Sequence, residues 1–307
     1  MIDTAAGRAL QDHGYAVGEV LGSGMEGTVV GLDGGLVAKV WFRRTEAEAT
    51  RLAGFYDAVA LAGVDLRTPR IRRVLAVDGR AVTVEDRIHG RPLAPADEPS
   101  PHLDSDTIEC LVDVLAALAA VDPRDPALAS LPALDGDEPF DPSQDFESSL
   151  ADLVERRVAS ARAPLARHLP DLDRVAGDVA AALRELTPAP PGLLHGDLIP
   201  ANVLVSADPR PAVVDFGFLT AVGDPAFDAA VTASIYDMYS PAARETERAL
   251  DQALADRFGH EPRRVAIYRA AYALATATCF SPEGNDGHFS WCMAMLRRAD
   301  VRTALGR

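Results

Sequence analysis

One short segment near residue 200 combines the residue types that phosphoryl transfer needs. His195-Gly196-Asp197 stands just before Asn202, and Asp215 then opens an Asp-Phe-Gly triplet after a short apolar run. In this chemistry one aspartate takes the proton of the attacking hydroxyl, while an asparagine and a second aspartate hold Mg²⁺ against the nucleotide phosphates. The spacing predicts Asp197 as the base on a tight loop shared with Asn202, and Asn202 and Asp215 as metal ligands. We expect His195 to orient this loop by hydrogen bonds rather than to titrate.

A glycine-rich segment near the start of the chain fits a phosphate-binding hairpin. It reads Gly-x-Gly-x-x-Gly-x-Val between two strand-like runs. Glycines let such a hairpin lie close over phosphates and offer backbone N–H groups to them. A plain β-hairpin has the same pattern, so the assignment depends on the next strand-like run of the chain. The predicted nucleotide contacts here are Gly22, Ser23, Gly24, Gly27 and Val29.

Lys39 interrupts the apolar strand-like run that comes after the glycine segment. A lysine in such a place is usually an edge residue that reaches water, but after a glycine hairpin it predicts a clamp on the α- and β-phosphates. The clamp needs a carboxylate partner, and Glu46 and Glu48 open the next helical segment. Glu48 shares a helical face with Leu52 and Phe55, which should pack on the sheet. We therefore expect Glu48, rather than Glu46, to pair with Lys39.

Taken in order, these motifs resemble the kinase fold and, within it, the aminoglycoside phosphotransferase-like family of small-molecule kinases. The resemblance runs from Tyr15 to about Tyr239. Gly196 replaces an arginine that many protein kinases carry, and no Ala-Pro-Glu sequence comes after the Asp-Phe-Gly triplet. The segment 223–228, GDPAFD, resembles the family's own signature, with Asp228 expected to brace the catalytic loop. One departure is the glycine after Asp-Phe, which many relatives lack.

The resemblance implies an α+β, bilobal protein-kinase-like fold, with a small β-rich lobe carrying one main helix and a larger, mostly helical lobe. We expect residues 1–90 to form the nucleotide-binding N-lobe and residues 91–307 to form the C-lobe with the catalytic loop, metal site and substrate-binding helices. Residues 85–90 read as the hinge, where Asp86 and Ile88 would contact adenine. The implied cofactors are ATP, with GTP not excluded, and Mg²⁺.

Residue periodicity and turn residues predict the individual elements. Strands are predicted near 16–21, 28–32, 36–41, 71–77 and 81–86, with Asp78-Gly79 as a two-residue hairpin turn between the last two. Helices are predicted at 46–61, 105–121, 144–162, 171–186, 225–239, 241–258, 262–280 and 288–304. We expect a single short hairpin sheet from 192–194, 202–205 and 212–214.

Weaker features bear on the acceptor. A formal charge of −16 argues against a nucleic-acid partner and suits a cationic substrate, although an acidic surface also serves solubility. Residues 122–155 hold ten acidic side chains and one basic side chain. This acidic region is either an element that covers the substrate or a solvated loop. Tyr236 and Asp237 after the GDPAFD helix, with Glu283 and Asp286 in a polar loop, are the candidate substrate contacts. An ordinary exposed turn is the alternative for that loop.

Composition predicts a cytoplasmic protein. The three cysteines show no metal-type or disulfide spacing. The first residues lack a basic region followed by an apolar run, so no signal peptide is expected. The longest apolar segment, Ile108–Val121, contains Glu109 and Asp113, so no membrane span is expected. A monomer and a homodimer both remain open.

The sequence therefore predicts an ATP- and Mg²⁺-dependent O-phosphotransferase that acts on a small-molecule alcohol. The first candidate acceptor is an aminoglycoside or another aminated antibiotic, as in a resistance-type kinase. A kinase of a primary metabolite such as a sugar, choline or homoserine is the alternative within the class. The missing activation segment disfavours a protein kinase. The complete set of catalytic residue types disfavours a nucleotide-binding pseudokinase.

Overall fold

The protein is described by a computed structural model that covers residues 4–24, 26–94, 103–134 and 136–306. Met25 of the glycine segment and Asp135 of the acidic region lie outside the described residues. The strands are β1 Val17–Ser23, β2 Gly27–Leu32, β3 Leu36–Trp41, β4 Ile71–Val77, β5 Arg80–Asp86, β6 Arg91–Pro92, β7 Gly192–Leu194, β8 Val203–Val205, β9 Ala212–Val213 and β10 Ala221–Gly223. The helices are α1 Thr4–Asp12, α2 Glu46–Leu61, α3 Ser105–Ala119, α4 Phe146–Ser160, α5 Arg162–His168, α6 Leu172–Glu185, α7 Pro225–Ile235, α8 Ala243–Phe258, α9 Pro262–Thr276, α10 Gly287–Leu296 and α11 Ala299–Ala304.

The first lobe is a five-stranded antiparallel sheet in the order β1-β2-β3-β5-β4. Alternation along the strands divides the side chains between its two faces. Val30 and Val84 pack with Leu10 of α1 on one face, whereas Lys39 and Trp41 lie on the other face, towards α2 and the catalytic residues. Helix α1, which buries Ala6 and Leu10, was not predicted.

The turn between β4 and β5 is the predicted two-residue hairpin. Asp78 and Gly79 both have positive φ, +49° and +77°. Two positive φ values in succession give the local twist that matches paired antiparallel strands, and Asp-Gly is a preferred pair for that conformation. The turn sets the β4–β5 register, which aligns Leu75 with Val82 in the sheet.

The second lobe is mostly helical, with two small sheets beside the catalytic loop. Strand β7 pairs with β10, and β8 pairs with both β6 and β9. The expectation of one hairpin sheet from β7, β8 and β9 was therefore wrong. Strands of two or three residues carry too little pattern to identify a partner, and here each partner was chosen by packing against the helices. Gly192 shows this constraint, since a Cβ there would lie 2.7 Å from the carbonyl oxygen of Ala119 in α3.

The start of α7 obeys the helix-capping rules. Asp224 accepts a hydrogen bond from the backbone N–H of Ala226, with Pro225 as the first residue of α7. The predicted helix 288–304 is divided in two, because the chain extends at Arg298 between α10 and α11. Among the described residues, no helix is long and apolar enough to cross a membrane. The predicted bilobal α+β fold is confirmed, while the lobe boundary at residue 90 stays a prediction.

Candidate active site

The catalytic loop between β7 and β8 is held from below by Asp228 of α7. The Asp228 carboxylate is 2% exposed and accepts hydrogen bonds from the backbone N–H groups of His195, at 2.6 Å, and Gly196, at 2.8 Å. Burial raises the pKa of Asp228 to about 6, and these two donors oppose that rise. The signature aspartate thus does what was expected of it: it fixes the path of the loop.

His195 is enclosed and acts on the loop through hydrogen bonds. Its Nε2 lies 2.9 Å from the carbonyl oxygen of Val214, and its Nδ1 lies 3.2 Å from the backbone N–H of Asp197. Its side chain also packs on Phe216, with ring centroids 4.5 Å apart. Burial lowers the pKa of His195 to about 4, so the ring stays neutral near pH 7. This geometry supports the orienting role proposed for His195.

Gly196 is required by the approach of another loop. It has φ +83°, and a Cβ there would lie 2.4 Å from the carbonyl oxygen of Phe218. A larger residue would force apart the catalytic loop and the segment just after Asp215. The position where many protein kinases have arginine is therefore closed to any side chain in this chain.

Asp197 is the candidate base and lies in an unusually acidic setting. Burial, together with the charges of Asp215, Glu26 and Asp228, raises the pKa of Asp197 to about 7. A carboxyl with this pKa is a better proton acceptor than an ordinary aspartate near neutral pH.

Asn202 and Asp215, the predicted metal ligands, lie on adjacent segments of the chain's fold. The Asn202 side-chain N–H₂ donates to the carbonyl oxygen of Asp197 at 2.9 Å, which directs its Oδ1 away from the loop. The backbone N–H of Val214 donates to the Asn202 carbonyl oxygen at 3.0 Å and ties the two segments together. Asp215 has φ +65°, and half of its side chain is exposed. One amide and one accessible carboxylate oxygen are the ligands that Mg²⁺ accepts beside phosphates.

Lys39 reaches this site from β3, but its partners differ from those expected. Its Nζ lies 2.7 Å from Asp215 Oδ1 and 3.2 Å from Glu26 Oε2. Burial disfavours the charged lysine, yet these carboxylates outweigh that effect and raise the pKa of Lys39. Lys39 in turn helps to lower the pKa of Asp215, against the effect of burial. Asp215, the candidate metal ligand, and Lys39, the candidate phosphate clamp, are thus in contact.

Glu48 does not pair with Lys39, which corrects that expectation. The Glu48 carboxylate accepts hydrogen bonds from the backbone N–H and hydroxyl of Thr45, at 2.7 and 2.8 Å, in a capping box at the start of α2. These bonds, opposed by partial burial, lower the pKa of Glu48. The α2 face that meets the site presents Tyr56 instead, whose ring packs against Phe216 at 6.0 Å. Periodicity alone could not show that a nearby backbone donor would satisfy Glu48 first.

We expect Glu48→Ala to affect stability more than catalysis. Loss of a helix cap costs about 0.5–2 kcal/mol of unfolding free energy. The melting temperature should therefore fall by a few degrees, while the Michaelis constant for the nucleotide changes little. Glu46→Ala is the matched control, since Glu46 is exposed in the same helical turn. A large rise in the nucleotide Michaelis constant with unchanged melting would restore the Lys39–Glu48 pair for the loaded enzyme.

The glycine hairpin has two kinds of glycine. A Cβ on Gly27 would lie 2.5 Å from the carbonyl oxygen of Val40, so this position is set by packing of β2 on β3. Gly22 and Gly24 face open space, as a phosphate cradle requires. Ser23 contacts Thr28 through their hydroxyls at 3.1 Å. Val29, the fifth predicted contact, is aligned with Lys39 across the β2–β3 pair.

At the hinge, the two candidate residues are placed differently. The Asp86 carboxylate accepts two hydrogen bonds from Arg72 at 2.8 Å, and the Asp86 N–H donates to the carbonyl oxygen of Arg70. Asp86 is therefore engaged within the sheet. Ile88, two residues beyond the end of β5, remains the predicted adenine contact.

The predicted substrate residues are not all presented to a cleft. Tyr236 and Asp237 are 3% and 6% exposed, and Asp237 accepts a hydrogen bond from the backbone N–H of Ser240, so their proposed substrate contact is corrected. Asp286 caps α10 through the N–H of Phe289. Glu283 is exposed. Glu283 and Asp286 stay predictions.

Two exposed aromatic side chains, Phe280 and Tyr239, lie in the segments that follow α9 and α7, and of these the sequence had not singled out Phe280. Phe280 is 45% exposed and stacks on Phe218 at a centroid distance of 5.9 Å. Phe218 comes directly after the Asp-Phe-Gly triplet and has its backbone against Gly196. Tyr239 is 67% exposed and lies beside Gly287. The sequence pattern placed Tyr239 and Phe280 inside the predicted helices 225–239 and 262–280, whereas in the structure both lie beyond the ends of α7 and α9.

Comparisons with known proteins agree with this geometry. Residues 18–268 match the APH family model, described as the phosphotransferase enzyme family. No protein in the curated set matches the chain significantly.

Similar solved structures include three antibiotic phosphotransferases. A thermostable mutant of aminoglycoside phosphotransferase APH(4)-Ia, in a ternary complex with ADP and hygromycin B, is 16% identical over 98% of this chain and 99% of that chain, with a TM-score of 0.69. The apoenzyme of macrolide 2'-phosphotransferase MphH from Brachybacterium faecium is 22% identical over 94% and 97%, with a TM-score of 0.60. The structure of APH(2")-IIia in complex with GDP and kanamycin is 18% identical over 95% of this chain and 96% of that chain, with a TM-score of 0.62.

At these identities the solved structures establish a shared fold, and the family model covers most of the chain. Together they confirm the resemblance carried by the glycine hairpin, the lysine strand, the catalytic loop and the Asp-Phe-Gly triplet. The protein belongs to the phosphotransferase enzyme family.

Proposed function

We propose that this phosphotransferase moves the γ-phosphate of ATP to a hydroxyl group of a small aminated antibiotic, with Mg²⁺ as cofactor. The observation that carries the proposal is the convergence of Asp197, Asn202, Asp215 and Lys39 on one side of the cleft beneath the glycine hairpin. GTP is the second candidate donor, since three similar structures were solved with GDP.

In this mechanism Asp197 accepts the proton of the acceptor hydroxyl as its oxygen attacks the γ-phosphorus in line. Asp228 and His195 hold the loop, so the Asp197 carboxylate keeps its place when substrates enter. A carboxyl whose pKa is already raised to about 7 takes up this proton with little free-energy cost.

Asn202 and Asp215 would hold Mg²⁺, which neutralises charge on the phosphate oxygens when it is bound. Lys39 must then leave Asp215 Oδ1 for the phosphates, a movement of its flexible end alone. The open space beside Gly22 and Gly24 would receive the triphosphate.

The acceptor side favours a ring-containing molecule with amines. Phe280, stacked on Phe218, and Tyr239 offer apolar faces and cation–π partners. The net charge of −16 attracts a cation towards the protein. A sugar or homoserine would use little of these aromatic faces, whereas choline, a quaternary ammonium, could also bind them. The acceptor panel therefore has to separate an antibiotic kinase from a kinase of a primary metabolite.

The test is ADP release with ATP·Mg²⁺ and a panel of acceptors: aminoglycosides, macrolides, peptide antibiotics, amino sugars, choline and homoserine. We expect saturable release with one antibiotic class, and mass spectrometry should show one added phosphoryl group on the acceptor. Phe280→Ala should raise the Michaelis constant of that acceptor and leave that of ATP unchanged. Selective turnover of choline, homoserine or a simple sugar would replace the antibiotic proposal with the metabolite one.

A further inference from the structure

A tryptophan platform beside Lys39 holds a second cation in the cleft. Trp41 is 3% exposed, and its Nε1 donates to the hydroxyl of Thr83, which is fully buried, at 3.1 Å. The Lys39 Nζ lies 3.9 Å from the centroid of the Trp41 ring, and the guanidinium carbon of Arg44 lies 4.1 Å from it. A fixed aromatic ring therefore positions both positive groups.

Arg44 is also placed by its backbone and by the loop just after the metal aspartate. Its carbonyl oxygen accepts a hydrogen bond from the Ala81 N–H at 2.7 Å, which fixes the segment between β3 and α2. A Cβ built on Gly217 would lie 3.2 Å from Arg44 Nη2, so the guanidinium rests against the glycine of the Asp-Phe-Gly triplet. Its side chain is 14% exposed.

Glu26 of the glycine hairpin is shared by the two cations. Its Oε2 lies 3.2 Å from Lys39 Nζ, and its Oε1 lies 3.6 Å from Arg44 Nη2. The Glu26 backbone is fixed, because its carbonyl oxygen accepts from the Phe42 N–H at 2.8 Å. Its side chain is 37% exposed, so solvent and ligands reach the carboxylate. The Glu26 carboxylate therefore bridges Lys39 and Arg44, under the hairpin predicted to hold phosphates, while Asp215 contacts Lys39 from the other segment.

We propose that Arg44 is a second phosphate-binding residue, and that the Glu26 carboxylate holds the place of a nucleotide phosphate until the nucleotide displaces it. This inference rests on the proposed function of the cleft. A guanidinium suits a phosphate because its planar N–H groups bind two oxygens at once. Arg44, between the hairpin and Gly217, bridges the two segments that enclose the transferring group. Glu26 and Asp215, the carboxylates that contact Lys39, take the place of the glutamate that α2 does not provide.

The experiment measures binding of adenosine, ADP and ATP by calorimetry with Mg²⁺, repeated with the guanosine series if adenosine nucleotides do not bind. Arg44→Gln should lower the affinity for ADP and ATP by about tenfold or more, as expected for the loss of a charge-assisted hydrogen bond. The affinity for adenosine should not change. Glu26→Gln should raise the affinity for ATP severalfold, because the side chain that competes with the nucleotide phosphate then carries no charge. Arg43→Gln is the matched control, because Arg43 is the exposed neighbour of Arg44.

Two results separate this inference from the function beneath it. If the wild type binds ATP and Arg44→Gln binds it equally well, Arg44 is not a phosphate ligand, while the proposed phosphoryl transfer stands. If Arg44→Gln lowers the affinity for adenosine as much as the affinity for ATP, the role of Arg44 is structural and the inference fails. Arg44→Lys keeps the charge and should recover part of the ATP affinity. A wild type that binds no nucleotide overturns the proposed function itself.

Discussion

Replacing Asp197 with asparagine should lower turnover of the true acceptor by about 10²–10⁴-fold, the range expected for the loss of a positioned general base. The substitution keeps the side-chain shape, so the loop held by Asp228 and His195 should be unchanged. Nucleotide affinity should persist, because Lys39 and the glycine hairpin do not depend on the Asp197 charge. Steady-state turnover and calorimetry on the same preparation measure both effects.

The control is Asp57→Asn, which changes an exposed carboxylate on α2 away from the cleft. Its turnover should match that of the wild type. A loss of less than about tenfold in Asp197→Asn would remove the general-base role from Asp197, since base catalysis contributes at least two orders of magnitude. The phosphate would then be transferred with positioning and metal electrostatics alone.

Asp215→Ala should abolish phosphoryl transfer while the protein still folds. The side chain is half exposed, so truncation leaves a wet cleft rather than a buried cavity. Its carboxylate is the candidate metal ligand and also the closest partner of Lys39, at 2.7 Å. The variant therefore loses the candidate Mg²⁺ ligand and, with it, the carboxylate that Lys39 contacts. ATP affinity of the wild type should rise with Mg²⁺, and this dependence should shrink in the variant.

The same measurements separate an enzyme from a scaffold. Circular dichroism and thermal unfolding of Asp215→Ala should show a folded protein, so that lost activity is not lost structure. Lys39→Ala is a useful companion, because it removes the phosphate clamp and leaves the metal carboxylate in place. A wild type that binds ATP equally well in the presence of a chelator, and transfers no phosphate, would support the pseudokinase alternative.

Local spacing in the sequence was enough for the catalytic loop. Asp197 and Asn202 are five residues apart and meet through a hydrogen bond within one turn, so their relation depends on few other residues. The bracing role of Asp228 came from the family resemblance and is confirmed by its two backbone hydrogen bonds. The Asp-Gly turn between β4 and β5 was equally local.

Contacts between distant segments were decided by the tertiary structure. Glu48 has the face that periodicity assigned to the lysine partner, but Thr45 lies three residues away and offers unsatisfied donors at the helix start. A hydrogen bond that needs no long-range closure forms at lower entropic cost. Lys39 instead took Glu26, from a hairpin whose fold over β3 the sequence pattern does not report.

The residues predicted to contact the substrate also show where local sequence is not enough. Tyr236 and Asp237 look available in the sequence because they are polar or aromatic residues just beyond a helix, yet the packing of α7 and α8 buries both. Phe280 and Phe218 are far apart in the chain and come together only when the loop after α9 packs beside the Asp-Phe-Gly segment. By itself the sequence determined the chemistry, since that chemistry needs particular residue types at short spacings. The tertiary structure decided the partners of Lys39 and the lining of the cleft, because a side chain binds whichever partner packing brings near it.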